Sequence, residues 1–153
     1  MSAVPVVPQQ HQLFRASVLV GPVQVLDRSP DRLVASFTVA PDEPVLAGHF
    51  PGFAILPGVC LVEFAHHAAL LALSDDTADD TSAPPVLAAV ESARFLAAVF
   101  PGDEVVAEVT TVADGDVRRC PVRLTVRRGD GTEREAAVLR LRYRPGEPPG
   151  AGR

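Results

Sequence analysis

Apolar and polar residues alternate with a period of two in two segments near the end of the chain, residues 117–127 and 134–143. Successive strand residues point to opposite faces of a sheet, so each segment predicts a strand with one buried face and one arginine-rich wet face. The turns Asp114-Gly115-Asp116 and Gly129-Asp130-Gly131 precede the two strands. The apolar positions are Val122, Leu124 and Val126 in the first strand and Leu139, Leu141 and Tyr143 in the second.

A different pattern covers residues 58–73, where apolar side chains occur on nearly every side of a predicted helix. Such a helix is wrapped by other structure rather than laid on a surface. Pro57 cannot continue a helix from upstream, and its fixed φ suits the helix entrance. Glu63, His66 and His67 interrupt the apolar run, which is therefore too short and too polar to span a bilayer.

The remaining segments complete a β-β-α-β-β-β-β order. The simplest architecture for this order is an α+β fold in which a curved antiparallel β-sheet wraps around one long central apolar helix. We expect an N-terminal tail over residues 1–15, a single domain over 16–144 and a C-terminal tail over 145–153. The other predicted strands are Val18 to Leu26, Leu33 to Val39, Val86 to Val99 and Asp103 to Val112, and the predicted loops are Ala40 to Ile55 and Ser74 to Pro85.

Composition narrows the class of protein. The 153 residues fit one domain, and 47% of them are hydrophobic, which is enough for a buried core. The first residues carry no basic-then-apolar signal pattern, so we expect a cytoplasmic protein with no membrane partner. Cys60 and Cys120 lack metal-like spacing and are predicted to be buried thiols rather than a disulfide.

Charge is distributed unevenly along the chain. The net charge of −5 argues against a nucleic-acid partner. Residues 1–117 hold four arginines against fifteen acidic residues, a net −11, whereas residues 118–144 hold nine arginines against three, a net +6. We interpret these arginines first as a solvated sheet face and second as a surface that attracts an acidic partner.

Two groups of complementary chemistry lie fourteen residues apart, His49 in a turn bounded by glycine and proline and Glu63 in the apolar helix. Imidazole suits proton abstraction near neutral pH, and apolar surroundings favour a protonated carboxyl group, which suits a general acid. The first N–H groups of the helix, at Gly58, can bind a developing oxyanion. A lone histidine in a loop and a lone glutamate in a helix are also compatible with structural roles.

The segments around these residues resemble a known family. Gly48-His49-Phe50-Pro51-Gly52, then Ile55-Leu56-Pro57-Gly58-Val59 and Glu63, resemble the signature of the β-hydroxyacyl-[acyl carrier protein] dehydratases of the hotdog fold. Glu91-Ser92-Ala93-Arg94-Phe95 with Phe100-Pro101-Gly102-Asp103 resembles the second shared segment of that family. The resemblance extends over residues 17–144.

The resemblance implies that His49 and Glu63 form the catalytic pair, contributed to one site by different subunits, and that the Gly58 N–H binds the thioester carbonyl. The implied reaction removes water from a 3-hydroxyacyl thioester to give a trans-2-enoyl thioester. The substrate would be carried on the phosphopantetheine of acyl carrier protein, with no cofactor and no metal. We expect a homodimer, a heterodimer or a higher oligomer. The expected substrate-binding residues are Phe50, Pro51, Gly52, Phe53, Pro57, Val59, His67 and Arg94.

One departure from that family concerns His66-His67, which stand where the family commonly has Ala-Gln. His67 lies one helical turn beyond Glu63, so it either hydrogen-bonds the carboxyl group or only packs. The departure favours a polyketide or polyene pathway over housekeeping fatty-acid synthesis. Two other functions stay open: a hotdog acyl thioesterase, and a non-catalytic carrier-protein-binding subunit of a heterodimeric dehydratase. On the second interpretation of the C-terminal arginines, their acidic partner would be acyl carrier protein.

Overall fold

The structure, a computed structural model, describes residues 22–40, 55–74 and 83–146 of the chain. Within these ranges it contains one helix and seven strands that join in a single sheet. The helix is α1 (Gly58–Leu73), and the strands are β1 (Gln24–Ser29), β2 (Arg32–Thr38), β3 (Val86–Phe95), β4 (Glu104–Thr110), β5 (Val112–Asp114), β6 (Val117–Arg127) and β7 (Glu133–Arg144).

The sheet is antiparallel throughout and follows the order β1-β2-β4-β6-β7-β3, with the short β5 paired to β6. Among the described residues the sheet does not close on itself, and β1 and β3 are its edges there. α1 packs against β2, β4, β6, β7 and β3. A sheet that meets one helix through so many strands curves around it, which confirms the predicted α+β hotdog architecture.

The period-two alternation decides which side chains enter the core. On β6 the residues Cys120, Val122, Leu124 and Val126 are almost completely buried, while the residues between them face outwards. The buried face of the sheet packs on α1, where Phe64 has no exposed surface. Full burial of such a side chain contributes about 1.5–3 kcal/mol relative to its exposed state. The two buried cysteines are thiols, as predicted.

The opposite face of the sheet carries a ladder of ion pairs. Three arginines of β6 each pair with an acidic residue of the neighbouring strand β7 or of β3 beyond it, which supports the first interpretation of these arginines as a solvated face. Because exposed pairs contribute only about 0.2–1 kcal/mol each, the ladder balances charge more than it stabilises the fold. The pairs are Arg119–Glu91 at 2.7 Å, Arg123–Glu135 at 2.9 Å and Arg127–Glu133 at 2.8 Å.

The helix begins at Gly58 and ends at Leu73, as the sequence predicts. The sequence did not predict β5. The preceding strand β4 ends at Thr110 because the Thr111 N–H bonds to the carbonyl of Asp31, in the turn between β1 and β2. The chain then turns, and three residues pair with β6 as a separate strand.

β3 also differs from its prediction, since it ends at Phe95 rather than at Val99. The chain leaves the ladder where the N–H groups of Leu96 and Ala97 both bond to the carbonyl of Ala136. The Val99 carbonyl then accepts the Leu56 N–H at 2.8 Å, just before α1. The residues that continue the apolar run therefore form a wall beside the helix start instead of a longer strand.

Several predictions fall outside the described residues. They include the N-terminal tail, the start of the strand predicted from Val18, most of the two predicted loops and most of the C-terminal tail. Among the residues that the structure describes, no helix has the length and apolar character needed to cross a membrane.

Candidate active site at the start of the helix

α1 begins without a side-chain cap. Pro57 is its N-cap residue, with φ −64° and ψ 150°, and makes no capping hydrogen bond. The Cys60 N–H turns back to the Pro57 carbonyl at 3.0 Å, but no acceptor within the described ranges takes the Gly58 N–H. The Gly58 N–H therefore has no acceptor among the described residues, and at the positive end of the helix dipole it suits a negative or partly negative oxygen.

A cleft of about 450 Å³ opens beside this helix start. Residues 55–58 with Leu61 form one wall and residues 95–98 form the other, and all of these side chains are apolar or absent. The hydrogen bond between the Leu56 N–H and the Val99 carbonyl joins the two walls. An apolar cleft with one backbone donor fits a ligand that is mostly aliphatic and carries one carbonyl group.

The ring of Phe95 approaches Gly58 closely. A Cβ atom at Gly58 would lie 3.3 Å from both Cε1 and Cζ of this ring, tighter than ordinary van der Waals contact. A larger residue at position 58 must therefore displace either the ring or the first turn of α1. Glycine at this position lets the aromatic wall and the donor N–H share one end of the cleft.

Glu63 is half-buried and does not border the cleft. It follows Gly58 by five residues, and at 3.6 residues per turn this places it about 140° around the helix. Gly58 and Leu61 face the cleft, so Glu63 faces a different side of α1. Within a single chain, Gly58 and Glu63 therefore face different sides of α1.

His66 is joined to the sheet through Tyr143 of β7. Its Nδ1 lies 2.8 Å from the Tyr143 hydroxyl, and the two rings stack with an interplanar angle of 5°. Burial lowers the pKa of His66 below its ordinary value. Burial, with a smaller contribution from Cys120, raises the pKa of Tyr143 far above its ordinary range. The imidazole and the phenol are therefore both neutral at neutral pH.

His67 is half-buried as well, one helical turn beyond Glu63. Burial, with a smaller contribution from the adjacent His66, lowers its pKa to about 4. A neutral imidazole on this side of the helix can exchange a hydrogen bond with the Glu63 carboxyl group or pack against it. The choice between these two roles for His67 stays a prediction.

The other predicted substrate contacts occupy different environments. Pro57 borders the cleft, and Val59 is 64% exposed. Arg94 is exposed on β3 and pairs in register with Val138. Successive strand residues point to opposite faces of a sheet. Arg94 therefore points to the face opposite the one on which the Phe95 ring approaches Gly58. Substrate contact by Val59 and Arg94 stays a prediction.

Five of the predicted site residues lie outside the described residues: His49, Phe50, Pro51, Gly52 and Phe53. Of the predicted catalytic pair, the structure describes Glu63. It brings Pro57 and Gly58 together at the cleft and places Glu63 and His67 on another side of the same helix.

The sequence did not predict the second wall of the cleft. Phe95 lies in the second family motif, but no role was predicted for this residue. Leu96 to Ala98 were predicted to continue a strand. The motif contains a signal from which the end of the strand could have been predicted, because its proline and glycine at residues 101–102 require the chain to turn soon after β3. The pairing of His66 with Tyr143 left no signal in the sequence, since the two residues are 77 positions apart.

A curved antiparallel sheet around one helix defines the hotdog class of proteins, and comparisons with solved structures agree. The dehydratase heterocomplex ApeI:P from Xenorhabdus doucetiae is similar over 82% of this chain and 99% of that chain, with TM-score 0.61 and 15% identity. Thioesterase superfamily member 2 from Mus musculus is similar over 91% and 93%, with TM-score 0.67 and 16% identity. At these identities the likeness establishes the fold alone, and one fold can host several reactions.

The chain belongs to the ApeI-like family, whose model, described as ApeI dehydratase, matches residues 26–132. The 3-hydroxyacyl-[acyl-carrier-protein] dehydratase FabZ of Thermus thermophilus is 36% identical over 117 residues, 76% of this chain and 80% of that protein. The FabZ of Polynucleobacter necessarius is 42% identical over 85 residues, 54% and 56% of the two chains. The match thus spans little more than half of some curated relatives. The predicted resemblance to hydroxyacyl-carrier-protein dehydratases is confirmed.

Proposed function

We propose that this protein removes water from a 3-hydroxyacyl thioester carried on acyl carrier protein and forms the trans-2-enoyl thioester. The observation that carries the proposal is Gly58, which lines an apolar cleft and whose N–H has no acceptor among the described residues, in a chain of the ApeI-like dehydratase family. The acyl chain would occupy the cleft with its thioester carbonyl at the helix start. Removal of an oxyanion donor of this kind typically costs about 3 kcal/mol of transition-state stabilisation.

In the proposed elimination, two side chains carry out the two proton transfers. The His49 imidazole takes the α-proton, and the electrons of that C–H bond form the new Cα=Cβ double bond. The C–O bond at the β-carbon breaks, and Glu63 donates the proton that turns the leaving hydroxyl into water. The reaction moves protons and causes no net oxidation or reduction, so it needs no redox cofactor.

The proposed site is assembled from two chains. Gly58 and Glu63 of one chain face different sides of α1, so one substrate meets both groups only if a second chain supplies one of them. The second chain would pair with β3, because β3 is an edge strand of the described sheet and carries the exposed apolar residues Val86, Val90 and Phe95. A second copy or a related subunit paired along β3 would continue the sheet and cover them.

The finer assignments are also proposals. Phe50 and Phe53 with Pro51 and Gly52 would contribute to the acyl pocket, and the neutral His67 would tune Glu63. The His66-His67 pair, a departure from the family's common Ala-Gln, supports a polyketide or polyene pathway. The acidic carrier would dock near arginines of β3, β6 and β7 that have no ion pair among the described residues. These are Arg94, Arg118, Arg134, Arg140 and Arg144.

The decisive experiment is incubation of the purified protein with a 3-hydroxyacyl carrier-protein thioester, followed by mass spectrometry of the acyl group. Loss of one water supports the dehydratase. Release of the free acid would instead identify a hotdog thioesterase. An unchanged substrate, alone and with an added partner subunit, would identify a non-catalytic carrier-binding protein.

Two variants then test the roles of the catalytic pair. His49→Ala and Glu63→Gln should each lower kcat by about 10²-fold or more, because each removes one proton-transfer group. Glu133→Gln is the matched control, since Glu133 lies in the exposed ion-pair ladder. Near-normal rates in either site variant would remove that residue from the mechanism.

Mixing the two inactive variants tests whether the site joins two chains. In a mixed dimer, the intact His49 of one chain meets the intact Glu63 of the other. Random exchange of subunits should therefore restore about a quarter of the wild-type activity, because half of the dimers are mixed and each has one working site. A site built within one chain would regain no activity in this experiment.

A further inference from the structure

A buried ion pair lies behind the cleft wall formed by residues 96–98. Asp103 is 6% exposed, and its Oδ2 accepts the Phe100 N–H at 2.9 Å. The same oxygen lies 3.3 Å from Nε of Arg128, the residue that directly follows β6. A carboxylate in such a position requires compensating donors, and here a backbone N–H and a guanidinium group provide them.

The Arg128 guanidinium makes further contacts with the same segment. Its Nη2 donates to the carbonyl of Ala98 at 2.8 Å, and its central carbon lies 5.2 Å from the centroid of the Phe100 ring. The donors of a guanidinium project in fixed directions from one plane. This single group therefore fixes Ala98, Phe100 and Asp103 relative to one another. Ala98 itself borders the cleft.

A hydrogen bond continues from this segment to the helix start. Between Ala98 and Phe100, the Val99 carbonyl accepts the Leu56 N–H at 2.8 Å. Pro57 alone separates Leu56 from Gly58, so the position of Val99 helps to determine where the Gly58 N–H points. Misplacement of a reacting or stabilising group by about 1 Å can lower a rate by about 10²-fold.

We infer that Arg128 and Asp103 are positioning residues that hold residues 96–100 in place, so that the Gly58 N–H is directed at the substrate oxygen. The inference rests on the proposed function, in which this N–H stabilises the oxyanion. Neither side chain touches the substrate in this scheme. Both act through the bond between Val99 and Leu56, which joins the two walls of the cleft.

The kinetic test compares two neighbouring arginines. Arg128→Met should lower kcat by about 10-fold or more and change KM by less than about 2-fold, because an oxyanion donor acts mainly in the transition state. Arg127→Met is the matched control, since Arg127 pairs on the exposed face with Glu133, and it should leave both constants within about 2-fold. Arg128→Lys keeps the charge but lacks the planar fork, so we expect an intermediate loss.

Amide hydrogen exchange provides a readout that does not depend on activity. The Leu56 N–H should exchange about 10-fold faster in Arg128→Met than in the wild type and stay unchanged in Arg127→Met. Arg128→Lys and Asp103→Asn give the same comparison if Arg128→Met does not fold. Wild-type exchange at Leu56 in the Arg128 and Asp103 variants would overturn the inference, as would faster exchange with an unchanged kcat.

The outcomes also separate this inference from the proposed function. An active wild type whose Arg128 variants match it in kcat and exchange refutes the positioning role alone. An inactive wild type whose Arg128 variants exchange faster at Leu56 refutes the dehydratase assignment, while it supports the anchoring of the helix start by Arg128.

Discussion

The two ends of α1 differ in how their backbone N–H and C=O groups are capped. At the carboxyl end, the Ser74 N–H bonds to the carbonyls of Leu70 and Leu71, and the Ser74 hydroxyl bonds to Leu71 at 2.8 Å. The Arg28 guanidinium adds hydrogen bonds to the carbonyls of Leu71 and Ser74, at 3.1 Å and 3.3 Å. At the amino end, Pro57 provides no side-chain cap and Gly58 keeps a donor without an acceptor in the described residues.

This difference separates stability from function along one helix. Exposed C=O groups at a helix end are stabilised by a capping residue and by a cation, and the carboxyl end has both. A serine or aspartate cap would stabilise the amino end by about 1 kcal/mol through the N–H of the second or third helical residue. The amino end lacks that stabilisation, and its Gly58 N–H has no acceptor among the described residues.

The largest predicted effect concerns the amino end, through Gly58→Ala. The added methyl group must displace the Phe95 ring or the helix start, because its contact with the ring is 3.3 Å. We expect kcat to fall by about 10-fold or more as the donor moves, a smaller loss than the roughly 10²–10³-fold found when an oxyanion donor is removed outright. The free energy of unfolding should stay constant or rise, since alanine is a better helix former than glycine.

A second substitution sharpens this test. Phe95→Leu in the Gly58→Ala background makes room for the methyl group and should recover part of the lost kcat. Phe95→Leu alone, as the control, should mainly change KM, because the residue lies in the cleft wall. Wild-type kcat in Gly58→Ala would mean that the amino end does not function as an oxyanion site.

The structure of the amino end of this helix can be predicted from the sequence, but the cap at its carboxyl end cannot, for a physical reason. The amino end follows from local chemistry, because Pro57 and Gly58 are adjacent to the apolar run that they begin. The cap by Arg28 reaches Leu71 from 43 residues away, and such a contact forms only after the sheet has wrapped around the helix. The period-two pattern predicted the buried faces of β6 and β7 from neighbouring residues, whereas the anchoring of the cleft wall by Arg128 joins residues 30 positions apart and was not predicted.

The next largest effect concerns the carboxyl end, through Arg28→Met. This variant loses two hydrogen bonds from a cation to helix carbonyls, so the free energy of unfolding should fall by about 1 kcal/mol. Activity below the unfolding transition should not change, since Arg28 lies far from the cleft along α1. Urea denaturation at fixed protein concentration measures the first quantity. Arg123→Met, which removes only an exposed ion pair, should cost less, and a drop in kcat for Arg28→Met would contradict the separation of the two ends.

Between the two ends, His67 predicts a pH dependence of stability. Its pKa is about 4 in the folded protein and ordinarily 6.5, so the unfolded chain takes up a proton first as the pH falls. The stability from the neutral imidazole is complete above about pH 6.5 and is lost as the pH falls towards 4. We expect His67→Gln to lose about 1 kcal/mol less than the wild type between pH 7.5 and pH 5, allowing for partial solvent screening. Some dependence should remain, because His66 shifts in the same direction, and parallel pH curves for the two proteins would contradict the burial of His67.

The smallest predicted effect is that of Ser74→Ala, which removes the hydroxyl bond to Leu71 and keeps the backbone bonds of the cap. We expect a loss of about 0.5 kcal/mol in the free energy of unfolding, at the low end for one hydrogen bond because the site is partly solvated. Since Arg28 and Ser74 both donate to the Leu71 carbonyl, their effects should not add. The double variant should lose more than the sum of the single losses, because each single variant leaves the other side-chain donor on the Leu71 carbonyl and the double variant removes both. Strict additivity in this cycle would mean that the two donors act independently, and the carboxyl end would then be two separate contacts rather than one shared cap.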